Sequence, residues 1–140
     1  MLLHIIARGK IGRSPEAELV DRYLARIAWD TKLTELPETG GRIPAPKEPL
    51  RTVVLDEKGR DLASEKLADI IGDWRDGAIR ETRFLIGAAD GHSPEERAQA
   101  DLVLSFGSAT WPHLMVRAML AEQLYRATSI LAGHPYHRAG

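Results

Sequence analysis

Apolar runs of strand length alternate along this chain with longer segments of helical periodicity, and no other feature limits its fold as much. LLHIIARG (2–9), RTVVLDEKG (51–59), TRFLIGAADG (82–91) and DLVLSFG (101–107) are the runs, and KLTEL (32–36) alternates like a half-buried strand. Between the first two, Ser14 and Pro15 open a helix, Ser14 as N-cap and Pro15 at the first helical position. Leu19, Val20, Tyr23, Leu24 and Ile27 then recur at helical spacing to about Trp29. Residues 61–77 place Leu62, Leu67, Ile70, Ile71 and Trp74 on one helical face. Ser93-Pro94-Glu95-Glu96 has the pattern of a capping box. A last helix runs from about His113 to Ala132.

This order of strands and helices predicts an α/β fold with a mainly parallel sheet and helices on both faces. PETGGRIPAPKEPL (37–50), rich in proline and glycine, reads as a mobile loop. Residues 1–36 are too few to fold alone, so 1–140 is expected to be one domain.

The chain has no cysteine, which excludes disulfides, thiolate metal sites and a cysteine nucleophile. No run approaches the ~20 apolar residues of a membrane span, and MLLHIIARGK reads as a strand rather than a signal peptide. A cytoplasmic protein without membrane contact is expected. The net charge of -1 and pI near 6.5 favour, taken alone, a small-molecule enzyme. If the partner is RNA, binding must rest on a local patch, a second subunit or a preformed shape.

VVLDEKG, FLIGAADG and LSFGSATWP each feed a strand into a small-residue or turn-rich loop. Ligands of parallel α/β sheets bind outside the carboxyl ends of strands, and Gly87, Ala88, Ala89 and Gly91 would let one approach the backbone. The plain alternative is an ordinary strand-to-helix turn. Neither GxGxxG nor GxxxxGK[ST] occurs, so dinucleotide and P-loop readings lose their main support. In SATWPH (108–113), Thr110 is a candidate cap for the last helix.

That helix is apolar nearly all round, as expected of one packed on a partner as well as its own sheet. Glu122 and Arg126 form an i,i+4 pair there. The chain then ends HPYHRAG (134–140). A metal is not expected, because Pro135 breaks the geometry between His134 and His137 and no nearby acid completes a ligand set. Two readings stay open: cations decorating a helix C-terminus, or a proton acceptor and anion-binding arginine beside a base-stacking tyrosine.

LIGAADGHSP followed by LSFGSATWPHLMVRAMLAEQLYRATSILAGHPYHR closely resembles the RlmH-type large-subunit ribosomal RNA methyltransferases, small members of the SPOUT (α/β-knot) superfamily. The match is dense over 84–138, VVLDEKG and MLLHIIARGK extend it over nearly the whole chain, and the PYHR ending is highly specific. The resemblance implies a C-terminal trefoil knot and a homodimer with the last helix in the interface. It implies methyl transfer from S-adenosylmethionine, as cofactor, to N3 of a pseudouridine in the helix-69 loop of 23S rRNA, on assembled ribosomes. Carried over by motif, Leu55, Gly87, Gly107, Ser108, Ala109, Thr110, Trp111 and Pro112 are the cofactor-binding residues. His113 and Arg117 match family positions at the start of the last helix. Tyr136, His137 and Arg138 match the tail expected over the active site, its own or that of the other subunit. His137 is the candidate base, Arg138 an anion or phosphate contact, Tyr136 a stacking platform. Ala88 departs from the family's second glycine, and the chain is short around 37–50. The alternative is a non-catalytic ribosome- or nucleotide-binding protein of the same fold; a small-molecule hydrolase lacks a nucleophile.

Overall fold

A computed structural model describes residues 1–88 and 91–138 of the chain. Ala89, expected to border a ligand, lies outside them. The elements are β1 (Leu2–Arg8), α1 (Pro15–Arg26), β2 (Thr31–Leu36), β3 (Leu50–Asp61), α2 (Ser64–Asp76), β4 (Glu81–Ile86), α3 (Pro94–Gln99), β5 (Leu102–Ser105) and α4 (His113–Leu131). The order is the one the alternation predicts. The strands form one parallel sheet, β2-β1-β4-β3-β5, so every carboxyl end lies along the same edge. Among the described residues no helix is long and apolar enough to cross a membrane.

Two predicted helix starts are built as the sequence suggests. Ser14 accepts from the Ala17 N–H at 3.1 Å, and Ser93 with Glu96 completes a capping box. Each such cap stabilises its helix by about 1 kcal/mol. Several boundaries differ from expectation: α2 is Ser64–Asp76 rather than 61–77, β5 is Leu102–Ser105 rather than 101–107, and three others have a visible cause. α1 stops at Arg26 rather than near Trp29, because Ile27 turns to extended backbone and joins the core. β4 ends at Ile86, where the chain turns into the loop beginning at Gly87. β3 does not end in a turn: after an irregular step, Arg60 and Asp61 rejoin β5. Gly59 permits this, since a Cβ there would stand 2.6 Å from the Val103 carbonyl oxygen.

The alternation of each strand sends Leu3, Ile5, Val53, Leu55, Phe84 and Ile86 to one face. There they meet Leu67, Ala68 and Ile71 of α2 and Leu120, Leu124 and Ala127 of α4, while α1 packs on α4 beside them. α4 is thus buried within its own chain along much of its length.

The second face carries His4, Glu81 and Arg83, all buried. Glu81 Oε2 accepts from Arg83 Nε and lies 3.0 Å from His4 Nδ1, while Oε1 accepts from the Lys47 N–H at 2.9 Å. His4 Nε2 meets Thr34 Oγ1 at 2.7 Å, and Arg83 donates to the Pro44 carbonyl at 2.6 Å. The network ties 37–50 across the sheet, with Arg8 holding the Pro37 and Gly40 carbonyls. The segment expected to be a mobile loop is therefore anchored by its backbone. Short α3 flanks the same face, where His92 and Glu96 line a cleft with Ile6, Thr52 and Leu85. Removing one partner from such a buried cluster costs about 3–5 kcal/mol.

Candidate functional site

The carboxyl ends of β3, β4 and β5 open into a cavity of about 660 Å³, roofed by the first turns of α4 and the segment before it. Its floor is apolar, with Leu55, Ile86, Leu104 and Val116. Gly87 and Gly107 bring backbone to its wall. At Gly87 a Cβ would press on the Gly91 carbonyl at 2.9 Å, and Gly107 has φ +103°, where side chains are strained.

The segment Phe106–Pro112 is fixed by polar contacts. Ser105 Oγ donates to the Gly107 carbonyl at 2.6 Å, and Trp111 Nε1 donates to the Phe106 carbonyl at 3.2 Å. Thr110 does not cap α4; Pro112 holds that position with no side-chain hydrogen bond. The proline carries no N–H of its own at the cap, and its carbonyl accepts the first helical bond, from the Val116 N–H at 3.0 Å. Thr110 Oγ1 instead donates to Glu57 Oε2 at 2.6 Å, joining the loop after β5 to that within β3.

Leu55, Gly87, Gly107, Ala109, Thr110, Trp111 and Pro112 all line this one cavity, as does Ala88. Ser108 is exposed and outside the lining. Sequence reading missed Asp56, Glu57, His92 and Arg97, which form the polar rim. Asp56 pairs with Arg97 at 3.3 Å, and Arg97 also donates to the His92 carbonyl. The acidic turn after VVL and the i,i+4 spacing of His92 and Glu96 were the available signals. Burial pushes the Glu96 carboxyl up, but the Ser93 N–H and His92 outweigh it and hold it below the usual range.

His113 lines the cavity, and its Nδ1 is buried without a partner. One turn on, Arg117 is fully buried, donating to Glu35 Oε2 at 2.5 Å and to the Gly9 carbonyl at 3.1 Å, with Nε unpartnered. Burial pushes the Glu35 carboxyl up, yet Arg117 and the Ile11 N–H bring it below its ordinary value.

Among the described residues, 134–138 of the tail do not line the cavity of their own chain. Tyr136 packs at a tilt of 56° on Tyr125, 4.5 Å between ring centroids, under the Arg126 guanidinium, and its O–H donates to Glu122 Oε1 at 3.2 Å. Burial, with Tyr23 and Glu122 beside it, pushes this phenol up to about 12, so it stays protonated at neutral pH. His137 Nδ1 accepts from Arg126 at 3.0 Å while Nε2 donates to Glu65 of α2. The tautomer with its hydrogen on Nε2 satisfies both, so both ring nitrogens are engaged. α2 thus supplies an acid that the tail's own sequence lacks. Arg138 is exposed and makes no hydrogen bond or ion pair among the described residues. Glu122 and Arg126 form the expected i,i+4 pair at 2.6 Å, which raises the Arg126 guanidinium further.

Comparison with known proteins bears on this arrangement. The family described as "Predicted SPOUT methyltransferase" matches residues 1–137. A protein of Erythrobacter litoralis named ribosomal RNA large subunit methyltransferase H is 73% identical over 140 residues, covering 100% of both chains. Proteins of that name from Novosphingobium aromaticivorans and Zymomonas mobilis are 68% and 57% identical, again covering 100% of both chains. A solved structure from Haemophilus influenzae, titled a probable methylase family protein, superposes with a TM-score of 0.61 at 11% identity, covering 98% of this chain and 70% of that one. The last likeness concerns the fold alone.

Proposed function

Because the chain belongs to the SPOUT methyltransferase family, in its RlmH-type branch, we propose that it methylates large-subunit ribosomal RNA. More finely, the methyl of S-adenosylmethionine goes to N3 of a pseudouridine in the helix-69 loop of 23S rRNA, on assembled ribosomes in the cytoplasm. The acting form is a homodimer with a knotted C-terminal part, each chain folding as one domain. The observation that carries this reading is that seven of the eight residues assigned to the cofactor converge on one cavity.

The cavity suits that cofactor. Its volume lies within the range of about 300–1,000 Å³ usual for small-molecule sites. The floor of Leu55, Ile86, Leu104 and Val116 can take a purine ring, and the Gly87 and Gly107–Pro112 backbone offers amides and carbonyls at its edge. Asp56 is paired with Arg97, but Glu57 places negative charge beside a cationic ligand, and the orphaned His113 Nδ1 awaits a polar partner. When bound, S-adenosylmethionine supplies a methyl already activated by its sulfonium.

The chain's own work is then alignment and proton management. Holding nucleophile and methyl in line supplies several kcal/mol, on the order of 7 or more at best. N3 of pseudouridine is a protonated imide and must lose its proton at or before attack. His137 is the assigned acceptor, and to act it must first leave Arg126, which occupies Nδ1. Arg138 holds an RNA phosphate or the developing imidate anion. Tyr136, a neutral phenol, offers a stacking face. Since the tail rests on its own α4, the partner's tail completes each cavity in this proposal.

The test is incubation of ribosomes lacking the modification with labelled S-adenosylmethionine, followed by mass spectrometry of the helix-69 fragment. One added methyl on a pseudouridine is expected. No incorporation, or no calorimetric binding of S-adenosylmethionine, contradicts the proposal.

A further inference from the structure

A protein of net charge -1 is not held on RNA by its overall charge, so any grip must be local. RGKIGR (8–13) is the place where cations gather without an intervening acid: Arg8, Lys10 and Arg13 fall within one short loop. It leaves the carboxyl end of β1, which pairs with β4 up to Ala7 and Ile86. β4 then continues into Gly87 of the cavity wall, so loop and cavity share one sheet edge.

The loop is held firmly. The Gly9 N–H donates to the Leu36 carbonyl at 2.8 Å, the Ile11 N–H to Glu35 at 2.9 Å, and Arg117 holds the Gly9 carbonyl. Gly9 has φ +89° and faces the His113 ring, to which a Cβ would come within 3.7 Å. His113 lines the cavity, so the loop abuts its wall.

The cations divide into two kinds. Arg8 is spent on the Pro37 and Gly40 carbonyls. Lys10 and Arg13 are exposed and form no ion pair or hydrogen bond among the described residues. Exposed Arg42 stands two residues past Gly40, which Arg8 holds. Of the facing acids, Glu35 is committed to Arg117 and the Ile11 N–H. Glu38 lies beside Gly9, and Glu16 is in the first turn of α1. Cations remain in excess, and between Lys10 and Arg13 the exposed Gly12 has open space on its side-chain face.

We propose that the loop 8–13, through Lys10 and Arg13, is a docking site for the RNA phosphate backbone that guides substrate to the cavity. This rests on the rRNA reading above. Phosphate contacts of this kind set position and affinity without reading sequence.

The test compares wild-type chain, a Lys10→Gln/Arg13→Gln double variant and Arg80→Gln for binding to unmodified ribosomes across a salt series. Arg80 is exposed at the opposite, amino-terminal edge of the sheet. The double variant is expected to bind at least about tenfold more weakly, with the log–log salt slope reduced by about two. Its S-adenosylmethionine affinity is expected to stay at the wild-type value, and Arg80→Gln is expected to match wild type. Unchanged affinity overturns the inference. So does weakened binding with an unchanged salt slope, which marks a protein contact, or an equal loss in Arg80→Gln. Failure of the wild type to transfer methyl in the same preparation counts against the proposed activity instead, since the binding series reads the loop independently.

Discussion

The cavity and the tail hold most of the chemistry of this molecule, and they are built in opposite ways. The cavity is assembled from three strand ends whose loops are pinned to one another: Thr110 on Glu57, Ser105 on Gly107, Arg97 on Asp56. Among the described residues, the tail lines no part of this cavity. It lies on α4 and α2 through Tyr125, Arg126 and Glu65, with both ring nitrogens of His137 engaged. A preformed pocket binds with little reorganisation, whereas a tail held by a few polar contacts can exchange them. The walls of one region are thus fixed within the chain, while the other region rests on contacts that can be exchanged.

Perturbing one region should leave the other's readout intact. The largest effect is expected from His137→Ala, with methyl transfer to ribosomes falling about 100-fold or more and S-adenosylmethionine affinity unchanged in calorimetry. A near wild-type rate would remove His137 from the chemistry. Gly107→Val should do the reverse, weakening S-adenosylmethionine about 10- to 100-fold through strain at φ +103° while the tail keeps its contacts.

Acidification should act on the scaffold both regions share. Burial holds His4 below its ordinary value of 6.5, so the unfolded chain takes up the proton first and stability falls as pH drops through that value. Glu81 is pushed up by burial, but the Lys47 N–H, Arg83 and His4 bring it below 4.5; Glu35 is likewise lowered. Their contribution, full above 4.5, is lost as pH falls through the lowered values. Thermal midpoints measured from pH 8 to 4 should decline first near 6.5 and again below 4.5; a flat profile contradicts this. The smallest effect is expected from Thr110→Val, about fivefold in S-adenosylmethionine affinity for one net hydrogen bond of about 1 kcal/mol.

Local rules made much of this legible. The strand order along the chain, the Ser14 cap and the Ser93 capping box depend on residues a few positions apart, and all are present. The small-residue loops pointed to the carboxyl edge of the sheet, where the cavity lies. What stayed hidden depends on distant partners. Glu81 meets His4 across 77 positions and Arg117 meets Glu35 across 82, pairs that neither period nor spacing reveals. Thr110 looked like a cap because Pro112 follows it; only the fold shows Glu57 within reach. The tail's contact with Glu65 required α2 and α4 to be packed together first.

Mixing equal amounts of two impaired variants, at an S-adenosylmethionine concentration too low for Gly107→Val to use, tests most directly whether the cavity of one chain works with the tail of its partner. Gly107→Val has a damaged cavity and an intact tail; Arg138→Ala has the converse. If the tail acts across the dimer, random exchange of subunits should restore methyl transfer to about a quarter of the wild-type rate, since half the dimers carry one complete site. If the mixture stays as inactive as either variant alone while heterodimers form, each tail serves its own chain, and completion of the cavity by the partner's tail is contradicted.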